Sequence, residues 1–467
     1  MTPGIPRNGL PASCTRDSLA HSPTESLGGR AHVLLNFRVS NHRSIREEQE
    51  LQLHPAYDAD RPPGTDWQAV PVAGLFGANA AGKSNLLGAL EYMARMVVNS
   101  HRDAEPDGGV TRNPFRLDTA ALDEPSWYVV DLLLDGVRFT YGFSVDDERV
   151  LDEWLYSYPH GKKRKIFERP DGDVQPGDSQ AKRELELVEN ITEPNVLFLT
   201  MAARSKQMDF RPVYDWFLTD LRFGRQGPGR LGGLDMVRML ESPERHPELM
   251  ALLRAADLGI EECGAERLLL DEDALRQRYG GRVPARLLAR LEEEGPQEHL
   301  RPWLGHRSRT GVVRMDLHEQ SAGTRALLEQ APRFMSVLRR GGTFVVDEID
   351  SSLHPLLTAQ LIGLFQDPST NPHGAQLVFT THDASLLGRM GGEDILKRDQ
   401  VWFLEKNQYG ETELFALAEF KPRIGENHER RYLGGSYGGV PFIDDSFARA
   451  LAGRGEQDGE DTEAERT

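Results

Sequence analysis

Eight consecutive residues, Gly77-Ala78-Asn79-Ala80-Ala81-Gly82-Lys83-Ser84, constrain this chain more than any other feature. They fit the pattern G-x-x-x-x-G-K-[ST], in which glycines let the backbone wrap a phosphate chain with its N–H groups pointing inward. The flanks support the pattern. Ala73-Gly74-Leu75-Phe76 reads as a short apolar strand running into the loop. After the loop, Leu86, Leu87, Leu90, Met93 and Val97 fall on one face of a helix predicted over Asn85 to Val98. The positive end of that helix adds to the loop's N–H groups. Lys83 is expected to reach the β- and γ-phosphates and Ser84 to ligate Mg²⁺, with Gly77, Ala78, Asn79, Ala80, Ala81 and Gly82 forming the cradle.

A second apolar strand, Thr343-Phe344-Val345-Val346, ends in Asp347-Glu348. Asp347 suits the Mg²⁺ shell, and Glu348 suits a general base that orients the attacking water. A third, Gln376-Leu377-Val378-Phe379-Thr380, ends at Thr381-His382-Asp383. Ligands of open α/β sheets gather at the carboxyl ends of strands, so His382 should face the γ-phosphate. Between loop and acids stands Gln320-Ser321-Ala322-Gly323-Thr324-Arg325, which opens a helical run towards Leu338 that Pro332 is expected to kink or interrupt. One phosphate loop already covers one face of the γ-phosphate. Ser321 and Gly323 are therefore read as contacts to the nucleotide of a second copy, with a plain N-cap by Ser321 as the bland alternative. No N-K-x-D motif follows the acidic strand, so ATP is expected rather than GTP.

The remaining chain supplies context. Val33–Val39 and Glu50–Leu53 read as strands, as do Trp127–Leu134, Val137–Val145 and Glu153–Ser157, with Asp135-Gly136 as hairpin chemistry. Residues 205–305 read as mainly helical. The domain boundaries follow: a disordered extension over 1–30, a first ATPase lobe with an antiparallel β subdomain over 31–225, a helical insertion over 226–305, a second lobe over 306–450, and an acidic disordered tail over 451–467. Lys plus Arg is 55 against 73 Asp plus Glu, a net charge of −18, which argues against wholesale coating of nucleic acid. Lys162, Lys163, Arg164 and Lys165 are the obvious local exception. Two cysteines exclude a disulfide scaffold and fit a reducing compartment. No apolar run is long enough to span a membrane, and a cytoplasmic location is expected.

Taken in order, phosphate loop, S-x-G helix start, hydrophobic-Asp-Glu followed by Ser351-Ser352-Leu353-His354-Pro355, and strand-end histidine resemble the ABC-type ATPases of the SMC, RecF and OLD group. The opening Phe37-Arg38-Val39-Ser40-Asn41-His42-Arg43-Ser44-Ile45 is similar to that group's start. By this resemblance Gly77–Ser84 is the Walker A loop, Ser321 and Gly323 the signature, Asp347 and Glu348 Walker B, Asp350–His354 the D-loop and His382 the switch histidine. The hairpins of Asp135–Tyr156, Ala255–Ile260 and Arg431–Gly438 look closer still to the restriction-linked RloA-like ATPases. That likeness implies anti-phage defence and a Toprim-like partner encoded nearby. Gly434–Gly439 is read as a flexible loop.

Two departures stand out. Ala322 and Thr324-Arg325 replace the transporter signature LSGGQ, and the Q-loop glutamine has no clear position, with Arg112–Leu117 the place to look. The expectation is an α/β P-loop NTPase of ABC-ATPase type that hydrolyses ATP with Mg²⁺. It would form a homodimer around ATP and regulate a partner effector or nucleic acid. A RecF-like DNA-repair clamp and a transporter's nucleotide-binding subunit are the alternatives.

Overall fold

The computed structural model describes residues 32–440 except 62–64, 66, 107, 179–181, 225–233, 256–258, 271, 273–274, 277–281, 296 and 424. The expectations for 1–30, for the tail over 451–467 and for part of Ala255–Ile260 lie outside these residues.

The central sheet has six strands, in the order Thr412–Ala416, Val401–Lys406, Val72–Gly77, Gln376–Thr380, Thr343–Val346, Leu221–Gly224. All neighbours are parallel except the Thr412–Ala416 edge. Three of the four inner strands, Val72–Gly77, Gln376–Thr380 and Thr343–Val346, are buried at every position, as expected of β-rich segments covered on both faces. Parallel pairing brings the carboxyl ends of these strands out on one edge. The phosphate loop, the acid pair and His382 leave the sheet there.

A second, antiparallel sheet of seven strands runs in the order Gln49–Gln52, His32–Ser40, Ser126–Leu134, Val137–Val145, Val150–Tyr158, Arg164–Pro170, Gln175–Pro176. The expected hairpin at Asp135-Gly136 forms, with φ of 50° and 80°, the doubly left-handed turn that matches strand twist. Inside this sheet Glu153 is buried, and burial holds its carboxyl above the usual carboxylate range. It is satisfied by the N–H groups of Phe198 (2.6 Å) and Leu199 (2.9 Å) and by the Tyr141 hydroxyl (2.9 Å).

The insertion departs from the helical expectation. Helices do form at Leu234–Glu241, Pro247–Ala255 and Ala285–Glu294, but Ile260–Leu270 and Gln297–Ser308 are strands, and Gly311–Asp316, beyond the insertion and strand-like in sequence, completes a three-stranded antiparallel sheet with them. Ile260–Leu270 carries glutamates and an arginine in a pattern without clean alternation. Its long pairing with Gln297–Ser308, not its own propensity, makes it a strand. Pro332 does not interrupt the Ala322–Arg340 helix, which runs through it.

Candidate functional site

The loop's shape follows from its residues. Ala80 (φ 64°) and Gly82 (φ 109°) adopt left-handed conformations that turn the chain into the helix Lys83–Asp103. Gly82 has a second reason to lack a side chain: a Cβ would lie 2.1 Å from the Thr412 hydroxyl. Thr412 in turn donates to the carbonyl of Ala81 at 2.9 Å and meets Ser44 Oγ at 2.8 Å, and Asn85 donates to the same Ser44 oxygen at 2.6 Å. The antiparallel edge strand and the N-terminal segment thus brace the back of the loop.

Lys83 is buried, and its ammonium donates to the carbonyls of Gly77 (2.7 Å) and Ala78 (3.1 Å). Burial lowers its pKa, against the opposing pull of Asp347, Glu348 and Asp350. Those three acids reach it from across the strand ends. The Ser84 hydroxyl donates to Asp347 Oδ1 at 3.1 Å, so the first and second halves of the sequence pattern touch. His382 closes the group, with Nδ1 at 3.4 Å from the Lys83 ammonium and Nε2 at 3.9 Å from Glu348 Oε1. Glu348 and His382 are exposed, facing outward. Glu348 sits in a left-handed conformation (φ 53°), unusual for a glutamate and typical of strained functional positions.

The five residues Lys83, Ser84, Asp347, Glu348 and His382 therefore converge. A hydroxyl and a carboxylate at hydrogen-bond distance form a hard-oxygen donor pair that fits Mg²⁺, which takes one or two protein oxygens and fills the rest with water and phosphate. Ser321 and Gly323 are placed elsewhere. Ser321 is exposed and caps the Ala322–Arg340 helix, accepting from the N–H of Thr324 at 3.1 Å. Gly323 abuts the segment after the acids, where a Cβ would lie 2.5 Å from the Ser352 carbonyl. The bland capping role is thus present, and the glycine has a close-packing reason within its own chain.

Two other expectations change, while Arg112–Leu117 offers no glutamine but does place its one side-chain amide, Asn113, on the cleft that holds Ser84 and Asp347. Arg112 is buried as a brace, donating to Asp147 (2.7 Å) and to the carbonyls of Glu124 (2.7 Å) and Leu122 (2.5 Å). The basic turn is largely neutralised: Lys163 stands 3.5 Å over the Tyr156 ring, Arg164 pairs with Asp209 at 2.8 Å, and Lys165 pairs with Glu168 at 3.2 Å. Gly434–Gly439 is tied down rather than loose. Tyr432 and Tyr437 stack on Phe403, the Gly439 N–H donates to Glu405 at 3.0 Å, and a Cβ on Gly439 would lie 3.7 Å from the Gly77 Cα.

Sequence reasoning missed Thr380. Its hydroxyl is fully buried, donates to Asp347 Oδ1 at 2.6 Å and accepts from the Glu348 N–H at 2.7 Å. The available signal is a lone hydroxyl closing an otherwise apolar run, Leu377-Val378-Phe379. Also missed is the strand Leu221–Gly224, which lies in parallel register beside the acidic strand, Gly224 opposite Val346.

A family model described as "AAA domain, putative AbiEii toxin, Type IV TA system" matches residues 72–190 and 265–388, just over half of the chain. Among solved structures, the chain is similar to the SMC head domain from Thermotoga maritima at 13% identity and a TM-score of 0.36, over 82% of this chain and 98% of that one. It is also similar to an SmcHead bound to the C-winged helix domain of ScpA, at 11% identity and a TM-score of 0.37, over 83% and 99% of the two chains. No curated protein matches. Among the described residues no helix is long and apolar enough to cross a membrane.

Proposed function

The chain belongs to this AAA-domain family, and from that premise we propose that it binds and hydrolyses ATP, dimerises around it, and uses the cycle to control a partner effector. The observation that carries the reading is the meeting of Ser84 with Asp347, 263 residues apart in sequence and 3.1 Å apart in space. In this reading the cradle Gly77–Gly82 holds the phosphates by its N–H groups, and Lys83 leaves its carbonyl partners for the β- and γ-phosphates. Ser84 and Asp347 would hold Mg²⁺, which would neutralise charge on the phosphates. Glu348 accepts a proton from the attacking water, and His382 stands beside both the lysine and the base.

Glu348 and His382 are exposed on the phosphate side, and Ser321 is exposed at the start of the Ala322–Arg340 helix. In this reading a second copy brings its Ser321 and Gly323 onto the γ-phosphate, so that ATP bridges two chains and hydrolysis releases them. The family description speaks of a putative toxin of a type IV toxin–antitoxin system. Together with the RloA-like sequence features, this supports a role in anti-phage defence in which the ATPase restrains or releases an effector.

The direct test is steady-state ATP turnover of the purified chain, with Glu348→Gln as the blank, with and without duplex DNA. We expect Mg²⁺-dependent turnover that Glu348→Gln lowers at least about tenfold while nucleotide binding persists, as for loss of a general base. Equal turnover by the variant would remove Glu348 from the role. Strong stimulation by DNA would move the regulated ligand from a protein to nucleic acid.

A further inference from the structure

A cleft of about 760 Å³ opens on the flank of the site, beginning at Ser84 and Asp347 and running away from the phosphate loop. Its floor is a single face of the Lys83–Asp103 helix: Ser84, Leu87, Gly88, Glu91, Arg95 and Val98 recur at helical spacing. From Ser84 to Val98 the rise is about 21 Å at 1.5 Å per residue. The far wall includes Arg222 on the Leu221–Gly224 edge strand and Arg333 on the Ala322–Arg340 helix, and Arg43 stands over the helix beside Gly88.

Four guanidinium groups, Arg43, Arg95, Arg222 and Arg333, thus line one groove of a chain whose net charge is −18. Among the described residues none of the four is in an ion pair, although eighteen other arginines are. Arg95 stands 5.5 Å over the Tyr92 ring and Glu91 and Asp347 also line the groove, which leaves Arg43, Arg222 and Arg333 as guanidiniums free to receive carboxylates or phosphates. The groove's length suits an extended strand of about six residues at roughly 3.3 Å each.

We propose that the occupant is this chain's own acidic C-terminal segment, Glu456 to Glu465. Its sequence, Glu456-Gln457-Asp458-Gly459-Glu460-Asp461-Thr462-Glu463-Ala464-Glu465, places acids at 456, 458 and 460 and again at 461, 463 and 465. In an extended chain every second side chain shares a face, so each run presents three carboxylates to one wall. The tether is long enough. The last described residues lie against the start of the phosphate loop, with Gly439 packed at Gly77, and residues 441–455 can span about 50 Å when extended. Because the groove ends on Ser84 and Asp347, a seated segment restrains ATP turnover; this consequence rests on the ATPase reading above.

The test uses the full chain without nucleotide. A glutamate-specific protease is applied at low salt and the loss of the C-terminal segment is followed by mass spectrometry. We expect cleavage within 456–465 to be at least about fivefold slower in the wild type than in Arg222→Glu/Arg333→Glu, with the gap closing as salt screens the contact. A photo-crosslinker at Thr462 should capture peptides containing Arg222 or Arg333, which checks the docking without altering the groove. Equal cleavage rates, or crosslinks only elsewhere, overturn the proposal. So does a single-stranded oligonucleotide that binds through the same arginines while tail cleavage stays fast. Replacing the six acids by amides should raise ATP turnover several-fold, and unchanged turnover overturns the restraint. Lys83→Ala separates the two readings, since it should abolish turnover and leave the segment's protection intact.

Discussion

Thr380 and Asp347 end neighbouring parallel strands, and the Thr380 hydroxyl donates to Asp347 Oδ1 at 2.6 Å while accepting the Glu348 N–H at 2.7 Å. One buried oxygen therefore fixes both acids of the pair, orienting the carboxylate of the first and the left-handed backbone of the second. The strand-end histidine follows two residues later, so the same strand positions three of the groups that converge beside Lys83 and Ser84.

Thr380→Val keeps the shape and removes the hydroxyl. It frees Asp347 Oδ1 from one donor and leaves the Glu348 N–H without its acceptor, a loss of about 1–3 kcal/mol for an unsatisfied buried group. We expect kcat to fall about tenfold and the Mg²⁺ concentration for half-maximal turnover to rise, with Thr380→Ser recovering most of both. A merely structural role would lower stability without moving the Mg²⁺ dependence. Turnover and Mg²⁺ titration of the two variants therefore decide the point.

Much of this site is legible in the sequence, for a physical reason. A phosphate loop needs glycines at fixed spacing, and an acid pair or a histidine at the end of an apolar strand stands out against buried neighbours such as Phe344-Val345-Val346. Groups that act through packing leave weaker marks. Thr412 braces Ala81 from 331 residues away, and nothing local to Thr412 announces it. Leu221–Gly224 is too short for a periodic signal and becomes a strand only because Thr343–Val346 offers it a parallel partner. Ile260–Leu270 is likewise decided by its partner. The basic run Lys162–Lys165 misleads in the opposite sense: its charges look available in sequence, yet Tyr156, Glu168 and Asp209 take three of them.

Ser321→Arg tests the contribution of a second copy. The serine is exposed and caps its helix through the Thr324 N–H, so the change costs about 1 kcal/mol of local stability. It adds a long cation where two chains are proposed to meet over the γ-phosphate. We expect the variant to bind ATP with near wild-type affinity and to sediment as a monomer with ATP, where the wild type sediments as a dimer under conditions that block hydrolysis. An ATP-loaded Ser321→Arg dimer removes this residue from the interface.

Asp399 offers a pH signature distant from the chemistry. It is buried beside the Arg398–Asp60 ion pair, and burial, reinforced by the Asp60 charge, pushes its carboxyl up to about 6. Below about pH 4 the carboxyl is protonated in folded and unfolded chains alike, and it carries no penalty. Between about pH 4 and 6 the unfolded chain ionises first, so the folded state loses stability as pH rises. Above about pH 6 both forms are ionised and the penalty is constant, on the order of 3 kcal/mol, since a tenfold change in proton affinity is worth roughly 1.4 kcal/mol. Asp399→Asn keeps an acceptor for the N–H groups of Ala56 and Tyr57 that the carboxylate now takes, and it removes the ionisation. Urea unfolding should therefore show the variant gaining on the wild type between about pH 4 and 6 and holding a steady lead at about pH 7 to 8. A gap that stays flat across that whole range would mean that Asp399 ionises in the folded chain as readily as in the unfolded one.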